Sequence, residues 1–459
     1  MESSTTTVEN SSASSSRPKG GSLPGATHAV VLLTLMNLLN FIDRYVPSAV
    51  KDAFKADLHL ETDLETSLPF TAFIWVYMIA APIFGTLAEK YSRKKLITFG
   101  VILWSIATAS AALATDFWTF MFARALVGVG EAAYATIAPS LIADFYVPEK
   151  RNRVLTFFYV AIPVGAALGF VLGGFFGDYF GEMLGPHYGW RVAFLICGLP
   201  GILVALFALR IKDVKRGGLD DVDESDTAPP PPWRETLPML LGNRRYLTVV
   251  AGYTAVTFAV GGLSDWLPTF LQRVHGMSQA GAGSGMGIGT VVGGLFGTIV
   301  GGLLADKLKG RTKNPYLALS GLSMLPATLF GVLALVAKDG ATAIILIGVA
   351  QFFLWFYNGP INALLVNSVD FRIRARAFSL SILSIHLLGD AISPPLIGAL
   401  ADVKAIGLQN AIAIVPIGFF VGALIWLIGW RSLTPVEIDS TSTPRQKPTE
   451  ERESPTQEA

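Results

Sequence analysis

Twelve times along this chain an apolar stretch of about 20 residues recurs, and that length is what a helix needs to cross the hydrocarbon of a bilayer. The stretches lie near 28–48, 68–88, 96–114, 117–145, 154–177, 190–210, 246–271, 282–305, 316–337, 341–366, 377–401 and 409–430. In hydrocarbon every backbone N–H and C=O must be satisfied within the segment, so such stretches fold as helices. An all-α membrane protein with twelve transmembrane helices is therefore predicted. The composition agrees, with 52% hydrophobic and 15% charged residues and a mean hydropathy of +0.51. The single cysteine, Cys197, excludes an intrachain disulfide.

Polar segments divide the chain. Residues 1–25 are rich in Ser and Thr and lack the apolar run of a secretory signal. Residues 432–459 are rich in Pro, Glu and Ser. Both are expected to be disordered cytoplasmic tails. Segment 211–243 carries Asp220, Asp221, Asp223, Glu224 and Asp226, then the run Pro229 to Pro232. It reads as a cytoplasmic linker, with a short surface helix around Trp233–Leu241, between a six-helix domain at 26–210 and a second at 244–431. Basic residues set the orientation. Lys90, Arg93, Lys94 and Lys95, then Lys150, Arg151 and Arg153, then Lys307, Lys309, Arg311 and Lys313, all fall on the side of the tails. The opposite side receives Lys51, Lys55, Arg191, Arg273, Lys338 and Lys404. Both termini are thus expected in the cytoplasm.

The two halves echo each other at offsets close to 220 residues. Asp43-Arg-Tyr-Val-Pro47 parallels Asp265-Trp-Leu-Pro268, Gly85-Thr-Leu-Ala-Glu-Lys parallels Gly302-Leu-Leu-Ala-Asp-Lys, and Arg151-x-Arg153 parallels Arg374-x-Arg376. A parallel repeat of six and six helices is a transporter architecture.

At these residues the chain resembles the major facilitator superfamily, over essentially all of 26–431. The loop motif G-x-L-a-D-r-x-G-r-k is matched by Gly85 to Lys94, with Glu89 in place of Asp and Ser92 in place of Gly. The fourth-span motif R-x-x-x-G-x-G is matched by Arg124-Ala-Leu-Val-Gly128-Val-Gly130, and a fifth-span glycine run by Gly165, Gly169, Gly173 and Gly174 without the usual Gly-Pro pair. Two longer stretches, Asn37 to Tyr45 and Arg124 to Asp144, are similar to the Spinster family of lysolipid and sphingolipid transporters. The resemblance implies a major facilitator fold of two pseudo-symmetric six-helix domains that rock about a central site. It implies an amphipathic anionic lipid as substrate, such as a lysophospholipid or sphingoid phosphate. It also implies a latch between the domains in which Glu89 holds the start of span 11 near Arg153 or Arg376, with Arg93 and Asp306 in the matching motif copies. Compact loops favour a bacterial member, in the inner membrane.

Four charges stand deep inside the first and fourth spans: Asp43 and Arg44 in the first, Arg124 and Glu131 in the fourth. A charge at mid-bilayer costs about 2.5–3.5 kcal/mol on insertion scales, so it needs a partner and usually a task. Asn37, Asn40 and Arg44 recur at i, i+3 and i+7, on one helix face, with Asp43 flanking it. Arg124 and Glu131 share a face about 10 Å apart along the axis. A carboxyl shielded from water resists ionisation, and a nearby guanidinium opposes that. Asp43 and Glu131 are therefore expected to take up and release protons, with Arg44 and Arg124 alternating between carboxylate and substrate anion. The competing reading is a permanent charge network that only fixes helices 1 and 4. Asn40 and Tyr134 are further expected substrate contacts. In the second half, Trp355, Asn358 and Asn362 form an amphipathic wall expected to touch substrate, or else aromatic packing at the interface. His386 and Asp390, four apart, form a possible second proton site or a packing pair.

Other chemistries lack their residues. No Walker A pattern, no His/Cys cluster with metal spacing and no nucleophile–base pair is recognisable. No cofactor, metal or nucleic acid is expected, and no enzymatic activity. The expected protein is a monomeric secondary transporter driven by the proton gradient. A carrier of another small organic anion, a multidrug exporter and a lipid scramblase are the alternatives.

Overall fold

The computed structural model describes residues 21–214, 219, 231–369 and 373–434, with the backbone alone for Glu89, Pro148, Glu149, Asn152, Val366, Arg374 and Ala375. The predicted tails and most of the linker lie outside these residues. Twelve helical spans follow one another. They are α1 (Ala26–Ala49), α2 (Asp63–Lys90), α3 (Arg93–Ala111), α4 (Phe117–Asp144), α5 (Pro148–Leu184) and α6 (Pro186–Gly198 and Pro200–Ala208), then α7 (Arg244–His275), α8 (Gln279–Val291 and Gly297–Leu308), α9 (Pro315–Leu335), α10 (Gly340–Leu354 and Asn358–Asn367), α11 (Arg374–Ile385 and Ser393–Asp402) and α12 (Gly407–Ala411 and Ile414–Ser432). Eleven of them are long and apolar enough to cross a membrane by length and composition. The twelfth, α3, opens on Arg93, Lys94 and Lys95, which lowers its apolar average.

Helix starts are fixed by side chains that take the free N–H groups of the first turn. Thr62 and Glu65 form a reciprocal box before α2, as do Asp116 and Thr119 before α4. Asn243, Ser278 and Asp339 cap α7, α8 and α10. Three later spans are irregular. Wider turns interrupt α8 at Val292–Phe296 and α11 at His386–Asp390, and a tight turn at Trp355–Tyr357 interrupts α10. Such interruptions in a membrane helix mark places where protein, not lipid, surrounds the backbone. A short helix Lys51–Asp57 follows α1, and Trp233–Gly242 forms the helix expected near the end of the linker.

Within the first half α1 packs on α5, and α4 lies between α2 and α3; within the second half α12 lies between α7 and α9. The halves meet through α5 against α8, α2 against the end of α11, and α1 against α7. These backbones touch at the end opposite Leu23 and Leu433 and diverge toward the end that holds them. The first is called here the closed end.

Candidate functional site

The site begins on α1, whose polar face survives in an apolar helix because protein covers it. Asn37 donates to the Phe158 carbonyl of α5 at 3.1 Å, so it fastens two helices. One turn on, Asn40 is buried beside Glu131 of α4. Another turn on, the Arg44 guanidinium donates to Glu131 Oε2 from Nη2 at 2.5 Å and from Nε at 3.2 Å. Glu131 is fully buried, whereas the Arg44 side chain keeps 16% of its surface. Rings enclose the cation: Phe41, Phe73 and Tyr77 have centroids 4.8, 4.9 and 5.6 Å from Cζ of Arg44. Aromatic faces hold a desolvated guanidinium without taking its hydrogen bonds, so it keeps donors for an anion.

Asp43 points the other way. It lies buried toward Trp104 and Thr108 of α3, and its Oδ1 has no hydrogen-bond partner among the described residues. Arg124 is the neighbouring cation, also buried, and its Nη1 is likewise unpartnered. Thus the four charges read from the sequence do come together, as one tight pair and one loose one. Glu131 Oε1 and Asn40 Nδ2 lie beside each other, with no other partner among the described residues. Buried polar atoms without partners are rare in proteins and mark places where a water, proton or ligand belongs.

Other expected residues fall elsewhere. Tyr134, expected on the substrate, is fully buried, with its hydroxyl donating to the Leu33 carbonyl at 2.5 Å and its ring edge-on to Trp104. It joins α4 to α1, because a buried phenol in an apolar interface must find an acceptor. Asn362 donates to the carbonyl of Asn358 at 2.7 Å and to its side-chain oxygen at 3.2 Å, which is local bonding along α10. Trp355 sits where α10 breaks, with a buried indole N–H that has no partner among the described residues. His386 Nδ1 lies 3.0 Å from both Asp390 oxygens at the break in α11. The His386 ring stands 6.3 Å from that of Tyr77, so the possible second proton site faces the first across Tyr77.

Arg93 and Asp306 of the expected latch each pair with a residue of their own half. Arg93 is buried against Asp144 of its own half and donates to the carbonyl of Val214, at the start of the linker, at 2.7 Å. The start of α3 meets the end of α4 there, so the nearest carboxylate wins the guanidinium. Asp306 pairs with Lys309 at 2.7 Å on the surface. Arg153 is exposed, and the Glu89 side chain lies outside the described residues.

Residues missed by the sequence reading gather at the closed end. Lys51, taken as a loop lysine, is buried in an ion pair with Asp265 of α7, with Nζ 3.8 Å over the Trp266 ring. Burial pushes the Lys51 amine below its ordinary value, against the pull of Asp265. The spacing held the signal, since Lys51 continues the face of Asn37 and Arg44 seven residues on. A cavity of about 10 Å³, room for roughly one water, lies among Pro47, Lys51, Thr66, Arg124 and Asp265. Nearby, Arg273 bridges Asp52 and Asp63 at 2.6 Å each, and Lys55 joins Asp63 at 2.6 Å. Asp57 pins the short helix to α6; burial alone would raise its carboxyl, but His187, Trp190 and Arg191 outweigh that and hold it below the usual range.

The family model described as Major Facilitator Superfamily matches residues 33–394. The chain is 32% identical to Protein spinster of Drosophila melanogaster over 81% of its own length and 61% of that protein. It is 32% identical to Protein spinster homolog 3 of Danio rerio, covering 87% of this chain and 83% of that one. With Protein spinster homolog 1 of Homo sapiens the figures are 33%, 83% and 74%. The chain belongs to the Spinster family of the major facilitator superfamily.

Solved structures agree on the fold. A bacterial homolog of the human lysosomal transporter Spinster, described as inward-facing and unoccupied, superposes with a TM-score of 0.76 at 24% identity, covering 89% of this chain and 96% of that chain. A D-xylose–proton symporter gives 0.71 at 15% identity, covering 87% and 97%. The protein is thus a multi-pass integral membrane transporter of twelve helices in two pseudo-symmetric halves.

Proposed function

We propose that this Spinster-family protein is a proton-coupled secondary transporter of an amphipathic anion, working by alternating access. The observation that carries the reading is the contrast between Arg44–Glu131 and Asp43–Arg124. One carboxylate is tightly paired and the other is not, although Asp43, Arg124 and Glu131 are buried and Arg44 keeps only a small exposed edge. A proton arriving on Glu131 would release Arg44, which is already desolvated by three rings and suited to a phosphate or carboxylate. The apolar rings beside it suit the tail of a lysophospholipid or sphingoid phosphate. Asn40 would orient the head group, and Trp355 offers the second half's free indole N–H. Asp43 would take or release its own proton, coupled to that network by the charge of Arg124. With the basic loops facing the cytoplasm, as this reading has them, the closed end would lie outside the cell and both termini inside, and the state would be inward-facing.

The test is flux into proteoliposomes of purified protein with an imposed pH gradient and a labelled lysophospholipid. The parent should show saturable, gradient-driven uptake. Glu131→Gln should bind but lose the dependence on the gradient. An unchanged response to pH would remove Glu131 as the coupling group. A proton leak with no lipid flux would keep the carrier and redirect the search to other organic anions.

A further inference from the structure

Four helices carry, near their C-terminal ends, a glycine with an acidic residue four positions later. They are Gly85 and Glu89 on α2, Gly174 and Asp178 on α5, Gly302 and Asp306 on α8, and Gly398 and Asp402 on α11. The spacing places the glycine and the acid on one face, a turn apart. The copies on α2 and α8 lie at the end of the molecule that holds the chain termini. Those on α5 and α11 lie at the closed end, where the structure shows what they do.

Asp402 accepts the backbone N–H groups of Asp63 and Leu64, at 2.7 and 3.1 Å, which open α2 in the other half. Asp178 accepts the N–H of Ala280 at 2.7 Å, in the first turn of α8. Each acid thus takes N–H groups that have no partner inside their own helix, at the positive end of its dipole. The glycines make this reach possible. A Cβ on Gly398 would stand 2.6 Å from the Asp63 carbonyl oxygen, and one on Gly174 would stand 2.2 Å from that of Gln279. The repeat relates α5 to α11 and α2 to α8, so one contact is made twice, once from each half to the other.

We propose that Asp178 and Asp402 are paired clamps that hold the closed end shut by binding the helix starts of the opposite half. All three hydrogen bonds must break before α5 can leave α8 and α11 can leave α2. The ion pairs of Arg273 and Lys51 lie between the two clamps and share their load. This proposal rests on alternating access, and its test separates the two.

Full-length protein in lipid nanodiscs, carrying Cys197→Ser, would be spin-labelled across the closed end at Glu61→Cys and Lys404→Cys. In a second sample the labels would sit at the other end, at Lys95→Cys and Arg311→Cys. Pulsed electron resonance reads the distance distributions. Asp178→Ala and Asp402→Ala should each shift the closed end toward longer distances about five-fold in population, and together by roughly the product. The Asp→Asn variants keep the side-chain shape and should shift it in the same direction, by less. The other end should shorten in step. An unchanged closed-end distribution in the double variants overturns the clamps. Lengthening at the closed end without shortening at the other keeps the clamps and overturns the alternating-access reading.

Discussion

The two halves share a scaffold but divide the chemistry. In the first half Asp43, Arg44, Arg124 and Glu131 are gathered within the bundle, with the Arg44–Glu131 pair at their centre. In the second half the position parallel to Asp43 is Asp265, and its partner comes from the first half as Lys51. His386 and Asp390 are partly open, and among the described residues their ion pair is with each other. A duplicated fold therefore keeps the contacts that let halves pack and rock, while ionisable groups settle in one copy. The second half supplies counter-surface: Asp265 for Lys51, Asp402 for the start of α2, and His386 for the ring of Tyr77.

Arg44→Ala should break this comparison most severely. It leaves Glu131 buried without its cation, and removing one member of a buried pair costs about 3–5 kcal/mol. Thermal unfolding in detergent should fall by many degrees and uptake should vanish. Arg44→Ala/Glu131→Gln should recover most of the stability and none of the coupled uptake. If the single change were silent in unfolding, the buried pair would not be the centre of the first half.

Lys51→Met tests the pair that crosses between halves. Alone it strands Asp265, with a loss of the same order, about 3–5 kcal/mol, in the closed state. That state can escape by opening, so the measured unfolding loss should be smaller than for Arg44→Ala. Accessibility of closed-end reporters to a membrane-impermeant thiol reagent should rise instead. Lys51→Met/Asp265→Leu should bring both back toward the parent, since a packed apolar pair of similar volume is often neutral or better. A double variant as unstable as the single one would show that the pair does more than neutralise charge.

Much of this was legible in the sequence, and what was not has a physical cause. Apolar length gave all twelve spans, including α3 despite Arg93 to Lys95 at its start. The cost of charge in hydrocarbon gave the four first-half residues. Periodicity alone could not say which way a side chain on a covered face turns, so Tyr134 was expected on substrate when its hydroxyl belongs to Leu33. Nor does local pattern reveal partners more than 200 residues away. Lys51 reads as a surface loop lysine until α7 brings Asp265 to it, and Asp178 and Asp402 read as helix-end acids until the opposite half brings its helix starts. The interruptions at Val292–Phe296, Trp355–Tyr357 and His386–Asp390 carry no proline within them that would announce a break.

The smallest expected effect belongs to the second half's own pair. His386 and Asp390 keep 21% and 15% of their side-chain surface, and a pair that water reaches contributes about 0.2–1 kcal/mol. Asp390→Asn should therefore shift unfolding only slightly. On the division of labour argued above, it should slow uptake less than tenfold while leaving the dependence on the pH gradient in place, because the Arg44–Glu131 pair is intact. The opposite result is informative. Tyr77 stands between Arg44 and His386, at 5.6 and 6.3 Å. Should Asp390→Asn abolish gradient-driven uptake as fully as Glu131→Gln, the proton would have to be shared across Tyr77. Tyr77→Phe keeps the ring and removes the hydroxyl, so it would then uncouple transport as well, and the chemistry would no longer belong to one half.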